Sequence, residues 1–442
     1  MFIPRPAGYT QEGDKAKGVV VDSFMSMMTT LRVKAFDRRA LARLADWLAV
    51  GVAVSLPWST SATSILIALW LVAALPTFDI AGLRRELATA AGGLPILLCL
   101  FAAAGMLWAD VSWRERLDGL EGFHRLLVIP LLLAQYRRSE NGIWVLYGFF
   151  VSVLVELAAS WALALIPGLP WHSKQFGVPA KDYILQSMNF LVCAFALLER
   201  AFDDARLRRW RSVAGLIALA LVFLANIFFV ATGRTTLLVL PVFAVLLGWR
   251  EFGWKGSLGA AILGCGVGIM IWFASPYLDQ RLIVSLQEYR DYRATDASSS
   301  TGAHLEFLKK SLSFVESAPL IGHGTGSIPE QFRDAAIGQT GASALASVNP
   351  HNQIFAVAIQ LGLVGAVILV AMWVAHFMLF RGAGPAAWIG TMVVVQNVVS
   401  SLFNTHLFDF TQGWFYVFGV GVVGGMTLRA RDRATAPHGG RP

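Results

Sequence analysis

Apolar residues run along this chain in long blocks, roughly 17–25 residues each, parted by short polar turns. Blocks of that length cross a bilayer as helices. The pattern predicts spans over 43–58, 62–78, 92–109, 119–136, 143–166, 183–201, 212–231, 235–249, 257–275, 352–380, 384–403 and 411–428. Trp113-Arg114-Glu115-Arg116-Leu117, before the fourth, reads as a short interfacial helix. The one long interruption is 276–350. Within it, His304 to Val315 sets Leu305, Leu308 and Leu312 against Glu306, Lys309 and Lys310 at helical spacing, which predicts an amphipathic helix lying on the bundle. The fold class is an all-α polytopic integral membrane protein of about twelve transmembrane helices with one large outer loop. Its parts are an N-terminal segment 1–40, helices one to nine in 41–275, the loop 276–350, helices ten to twelve in 351–428, and a basic tail 429–442 expected to be disordered.

Composition agrees. Of 442 residues, 56% are hydrophobic and 14% charged, against about 45–50% and about 25% in soluble domains. The net charge of +8 does not point to nucleic acid, because the basic residues sit at the ends of the spans. Arg38/39, Arg84/85, Arg137/138, Arg206 to Arg211, Arg250/Lys255, Arg381 and Arg429 to Arg433 all fall on one side, which the positive-inside rule makes cytoplasmic. The N-terminal segment shows no apolar core with a cleavage site. Cys99, Cys193 and Cys265 each lie in an apolar run without metal-ligand spacing, and read as small core residues.

The opposite, outer side then holds the candidate chemistry. Arg234 stands in the very short turn Thr232-Gly233-Arg234-Thr235 against the positive-inside rule. An arginine at mid-bilayer costs about 2.5–3.5 kcal/mol, less near the interface. A bound anion would offset that cost, and a guanidinium matches phosphate bidentately; the plainer alternative is an arginine snorkelling from a helix end. His351, in Val348-Asn349-Pro350-His351-Asn352, closes the loop and opens the next span. Its ordinary pKa suits proton removal at neutral pH; the alternative is a local capping role, with Asn349 and Asn352 as its hydrogen-bonding neighbours. Gly322-His323-Gly324-Thr325-Gly326 can bring backbone N–H groups to an anion, though glycine turns are common in loops. Arg281, Arg290 and Arg293 are further loop cations, and His172, His323, His406 and Asp409 stand in a second rank. His376, mid-span, reads as a packed or hydrogen-bonded histidine. No HExxH, CxxC pair or acidic triplet suggests a metal site, and no cofactor motif is present.

Pro319-Leu320-Ile321-Gly322-His323-Gly324-Thr325-Gly326, then Asn349-Pro350-His351-Asn352, then Leu361-Gly362-Leu363-Val364-Gly365 resembles the O-antigen ligase and polymerase superfamily, as does the Arg234 turn. As motif the resemblance covers roughly 230–425, and as topology the whole chain. It implies a GT-C-like enzyme of the Gram-negative inner membrane, with its site facing the periplasm. The implied donor is an O-antigen glycan on undecaprenyl diphosphate and the implied acceptor is lipid A-core. Arg234 and a loop cation would hold the diphosphate, and His351 would take the acceptor proton. Gly322, His323, Gly324, Asn349 and Asn352 would serve substrate binding. One departure stands out. Ser300-Thr301-Gly302-Ala303-His304-Leu305-Glu306 carries His304 where the family often has arginine, so the second cation is His304 or one of Arg281, Arg290 and Arg293, with Arg290 or Arg293 favoured. An O-antigen polymerase or a protein O-oligosaccharyltransferase would share the donor. A transporter or flippase fits less well, since its polar residues would sit at mid-membrane on broken helices.

Overall fold

The computed structural model describes residues 37–169, 171, 175–274, 276–382 and 384–435. Among them the chain is helical, with no strand. Six helices are long and apolar enough to cross a membrane: Thr60–Thr77, Gly142–Leu165, Tyr183–Arg206, Trp210–Phe229, Arg234–Gly266 and Gln353–Leu379. Ile80–Leu87 and Ala90–Gly105, bent by 83° at their junction, make a seventh if taken as one span.

The distance between this number and the twelve expected has local causes. Arg38–Ser55 carries Arg38, Arg39, Arg43 and Asp46 in one 18-residue helix. The expected fourth span, 119–136, is two helices, Trp113–His124 and Val128–Arg138, parted by a 3-10 turn at Arg125–Leu127. Ser112 and Glu115 form a reciprocal capping box that starts the first of them, so the short interfacial helix continues to His124. Arg234–Ala274 is broken at Gly253, whose φ of 66° only glycine takes readily. There the chain reverses: Ser257 Oγ donates to Val245 O at 3.2 Å. Pro385–Ser400 has only 16 residues. After Phe410–Phe418 a π-helical turn, Gly419–Val423, leads into Gly424–Thr435. The first part of the tail is therefore helical, where disorder was expected.

Apolar side chains gather into two large clusters. One joins Arg38–Ser55, Thr60–Ala74, Ala90–Gly105 and Val128–Arg138 to the last helices around Trp70, Leu98, Leu132, Met372 and Tyr416. The other surrounds Phe190, Phe195, Phe223 and Phe243. Tyr183–Arg206 is the central helix, with 78% of its apolar window buried, against 22% for Trp210–Phe229. Cys99 and Cys193 are buried, as expected of core residues, but Cys265 is exposed. His376 is fully buried; its Nδ1 lies 2.6 Å from Tyr416 Oη and its Nε2 2.9 Å from Ala91 O, which fits the packed reading.

The charged ends sort as the sequence suggested. Arg137 bridges Glu86 at 3.0 Å and Asp432 at 2.7 Å. Arg250 reaches Glu199 at 2.6 Å, Arg429 and Arg433 meet Glu140, and Arg431 donates to Arg381 O at 2.6 Å. These basic connectors share one end of the bundle. The polar loops share the other end, tied by Lys181 Nζ to Leu56 O and Thr411 Oγ1 and by Asn349 to Asn404.

Candidate functional site

His351 is held by its neighbours in an uncommon backbone state. Asn352 caps the Gln353–Leu379 helix, its Oδ1 accepting from Ile354 N at 2.9 Å and Phe355 N at 3.1 Å. One residue earlier, His351 has φ +54°, a left-handed conformation that a residue with a Cβ seldom adopts. Asn349 stabilises it, accepting from His351 N at 2.7 Å through Oδ1 in an Asx turn. Asn349 is itself fixed, because its Nδ2 donates to Asn404 Oδ1 at 2.8 Å. The 401–409 turn adds three more clamps. Asn352 Nδ2 donates to Leu402 O, Gln353 N to Ser401 O, and Leu407 N to Gln353 Oε1. The two outer turns are thus one rigid unit. Asn404 and Gln353 escaped the sequence reading, since nothing local marks a partner some 50 positions away.

The Ser300–Ser317 helix supplies the walls beside the imidazole. The His304 ring lies 5.1 Å from that of His351 in a T-shaped contact, and Phe307 stacks on it at 5.8 Å with an 18° interplanar angle. Burial lowers the His351 pKa below its usual 6.5, the neighbouring His304 lowers it further, and a hydrogen bond with Asn404 opposes both. At neutral pH the ring is therefore unprotonated and able to accept a proton.

That helix does not present the face its pattern predicted. Glu306 and Lys310 are the buried residues, at 3% and 7% exposure, whereas Leu308 and Leu312 point outward. Each buried charge has local partners. Glu306 accepts from Tyr292 Oη at 2.7 Å, and Lys310 Nζ donates to Ser343 O and Leu345 O. The lysine thereby fastens the helix to the strand of chain that leads into His351.

The glycine-rich run is a joint rather than an open cradle. Its N–H groups are taken: Gly322 by Ala318 O, His323 by Ile359 O, Gly324 by Gln360 O, Thr325 by Gly105 O, and Gly326 by Gln360 Oε1. From the other side, Leu363 N donates to Pro319 O and Val364 N to Leu320 O. The Pro319–Gly326 run and the Leu361–Gly365 run are thus two halves of one contact, and Gly362 breaks the long helix to receive it. His323 Nε2 lies 2.9 Å from Phe314 O and 3.1 Å from Ser317 Oγ. Gly322, His323 and Gly324 accordingly have structural partners, and none of these N–H groups is left free for an anion.

Arg234 begins the Arg234–Ala274 helix, exposed and without a hydrogen bond or ion pair among the described residues. The turn behind it is locked by Ser187 Oγ and Thr236 Oγ1, 2.8 Å apart, over a buried Gly233. Arg290 and Arg293 are likewise exposed on Pro276–Thr295 and unpaired among the described residues. Of the expected residues, His304 and Asn349 come together with His351; no contact joins Arg234, Arg290 or Arg293 to it. His172, and the side chain of Arg281, lie outside the described residues. Asp409 caps the Phe410–Phe418 helix, and His406 is 2% exposed with neither ring nitrogen hydrogen-bonded. Beside Asn349 and Pro350 opens a cavity of about 440 Å³.

The stretch that joins the Arg234 turn to the His351 turn carries a family signature. Residues 219–370 match the O-antigen ligase family. The matched stretch takes in Arg234, His304, both halves of the glycine joint and His351. Family members are glycosyltransferase-like enzymes of lipopolysaccharide assembly that use lipid-linked glycans, which fits a chain of apolar helices with its polar loops at one end. No curated protein matches the chain.

Proposed function

We propose that the chain is an O-antigen ligase that transfers a glycan en bloc from undecaprenyl diphosphate to a sugar hydroxyl of lipid A-core, at the periplasmic face of the inner membrane. The observation that carries this reading is His351. Its imidazole is held neutral in a fixed turn of the family-matched segment, beside the histidine that replaces an expected arginine.

In the reaction, His351 accepts the proton of the attacking hydroxyl. The hydroxyl oxygen bonds to the anomeric carbon as the bond from that carbon to the diphosphate oxygen breaks, so a single displacement inverts the configuration. Arg234, projecting unpaired from its turn, meets the negative charge that builds on the diphosphate. His304, Arg290 and Arg293 are the candidates for a second cation there. The diphosphate carries its own activation, so the scheme calls on neither nucleotide nor metal.

The test is a purified assay in nanodiscs with undecaprenyl-diphosphate glycan, rough lipopolysaccharide and a chelator. Wild type should give a ladder of capped lipopolysaccharide, and His351→Ala and Arg234→Ala should not. Longer lipid-linked glycan without capping would assign a polymerase instead. Transfer to a protein acceptor would assign an O-oligosaccharyltransferase. Turnover unaffected by His351→Ala would remove its role as base.

A further inference from the structure

About half of the residues lining the cavity beside Asn349 and Pro350 come from outside the family-matched segment. One wall is the Trp113–His124 helix, with Asp118 and Glu121; another is the 405–410 turn, with Phe408 and Phe410. Arg125, in the 3-10 turn that breaks the helix, lines it as well, and also a neighbouring cavity of about 250 Å³. The helix can approach this closely because Gly119 and Gly122 face Gly326 and Phe408, where a Cβ would come within 2.4 Å and 2.6 Å of their atoms.

Arg125 marks the place as more than a gap. It is 2% exposed, and its Nη1 donates to the carbonyl oxygens of Asp409 and Phe410. Its Nε is closed off from solvent and from the cavity alike, and no carboxylate among the described residues comes within ion-pair distance of the guanidinium. A buried guanidinium without an ion pair is costly unless polar groups accept from it, and here two backbone carbonyls are its acceptors. On the rim, Asp118 and Glu121 are exposed, and their carboxylates carry no hydrogen bond or ion pair among the described residues, while the Glu121 backbone meets the His124 ring.

We propose that this cavity is a subsite for a neutral, hydroxyl-rich sugar ring, with Asp118, Glu121 and Arg125 as the groups that select it. The argument is one of charge matching. An anion on Arg125 would be repelled by two carboxylates, and an ammonium group on the carboxylates would be repelled by Arg125. A sugar diol satisfies both, donating O–H to the carboxylates and accepting from the guanidinium. Phe408 and Phe410 offer apolar faces for the C–H side of the ring. The size lies within the usual range for small-ligand sites, about 300–1,000 Å³. Asn349 joins the subsite to His351, because it lines the cavity and also holds the His351 turn. The assignment to a glycan rests on the transferase reading above, and the ring could come from the acceptor or from the donor.

The experiment measures binding and turnover on the full chain in nanodiscs, with Asp118→Asn/Glu121→Gln and Arg125→Lys beside wild type. The binding probes are lipid-free core oligosaccharide from rough lipopolysaccharide, glycan released from the lipid-linked donor, and inorganic phosphate, read by saturation-transfer NMR. Wild type should bind one of the two glycans with little dependence on salt and no competition by phosphate. The carboxamide pair should raise the KM for the matching substrate roughly tenfold or more, with kcat and the KM of the other substrate nearly unchanged. A merely structural role would lower the unfolding temperature without that split. Glycan binding lost in the variants, with no transfer to any acceptor in wild type, would uphold the subsite while removing the ligase reading. Transfer in wild type with KM and binding unmoved in the variants would overturn the subsite and spare that reading. Displacement of the glycan by phosphate would make it an anion site and overturn the proposal.

Discussion

Gly362→Ala tests the joint that shapes the outer end of the bundle. Gly362 has φ +65° and ψ −167°, a region that residues with a Cβ essentially never occupy, and forcing alanine there costs about 1–3 kcal/mol. The added Cβ would lie 2.1 Å from Leu320 O and 2.2 Å from Leu320 C. Neither is a flexible tip, so the Pro319–Gly326 run must withdraw. Withdrawal breaks the bonds from Leu363 N, Val364 N, His323 N and Gly324 N across the joint. At about 1 kcal/mol each, these bring the total to roughly 6 kcal/mol, comparable with the whole stability of many domains. The assay is thermal unfolding of purified protein followed by tryptophan fluorescence. The matched control is Gly215→Ala, where an added Cβ meets nothing within 4 Å on the Trp210–Phe229 helix. The control should be neutral or slightly stabilising. Gly362→Ala should lose roughly 5–10 °C. If it unfolds within about a degree of wild type, the joint is not holding the structure and the reasoning fails.

Four further outcomes follow from the site. The His351 pKa lies below its usual 6.5, so transfer should persist at pH 6.5 and fail only as the pH drops through the lowered value. Replacing His304 by glutamine removes a repelling charge, raises the His351 pKa and should move the acid limb of the pH–rate profile to higher pH; an unmoved limb would uncouple the two rings. Arg234→Ala should cut turnover by about 10²–10³-fold at an unchanged unfolding temperature, since Arg234 has no partner among the described residues, and Arg234→Lys should recover part of it. A lower unfolding temperature with full turnover would show the reverse role. Asn349→Ala removes the acceptor for His351 N and the link to Asn404; kcat should fall about tenfold or more with the fold intact, and a normal kcat would show that the turn holds without it.

By itself the sequence determined the helical membrane class and the division into a basic end and a polar end. Both depend only on local composition: the length of an apolar block sets whether a helix can span, and lysines and arginines stay at block ends because burying them in lipid is costly. It also singled out Arg234 and His351, through an arginine against the charge rule and a histidine at a loop-to-helix boundary, and it brought Asn349 and Asn352 with them. The tertiary structure decided what those residues do to one another. Only packing could invert the Ser300–Ser317 face, because the partners of Glu306 and Lys310 lie on other segments. Only packing could turn the glycine run from a suspected anion cradle into a joint, because the acceptors of His323, Gly324 and Gly326 sit about 35 positions away on Ile359 and Gln360, and that of Thr325 on Gly105. The cavity floored by Arg125 was likewise hidden. A single arginine inside an apolar block has no periodic signature, and its meaning arises when the 405–410 turn closes over it.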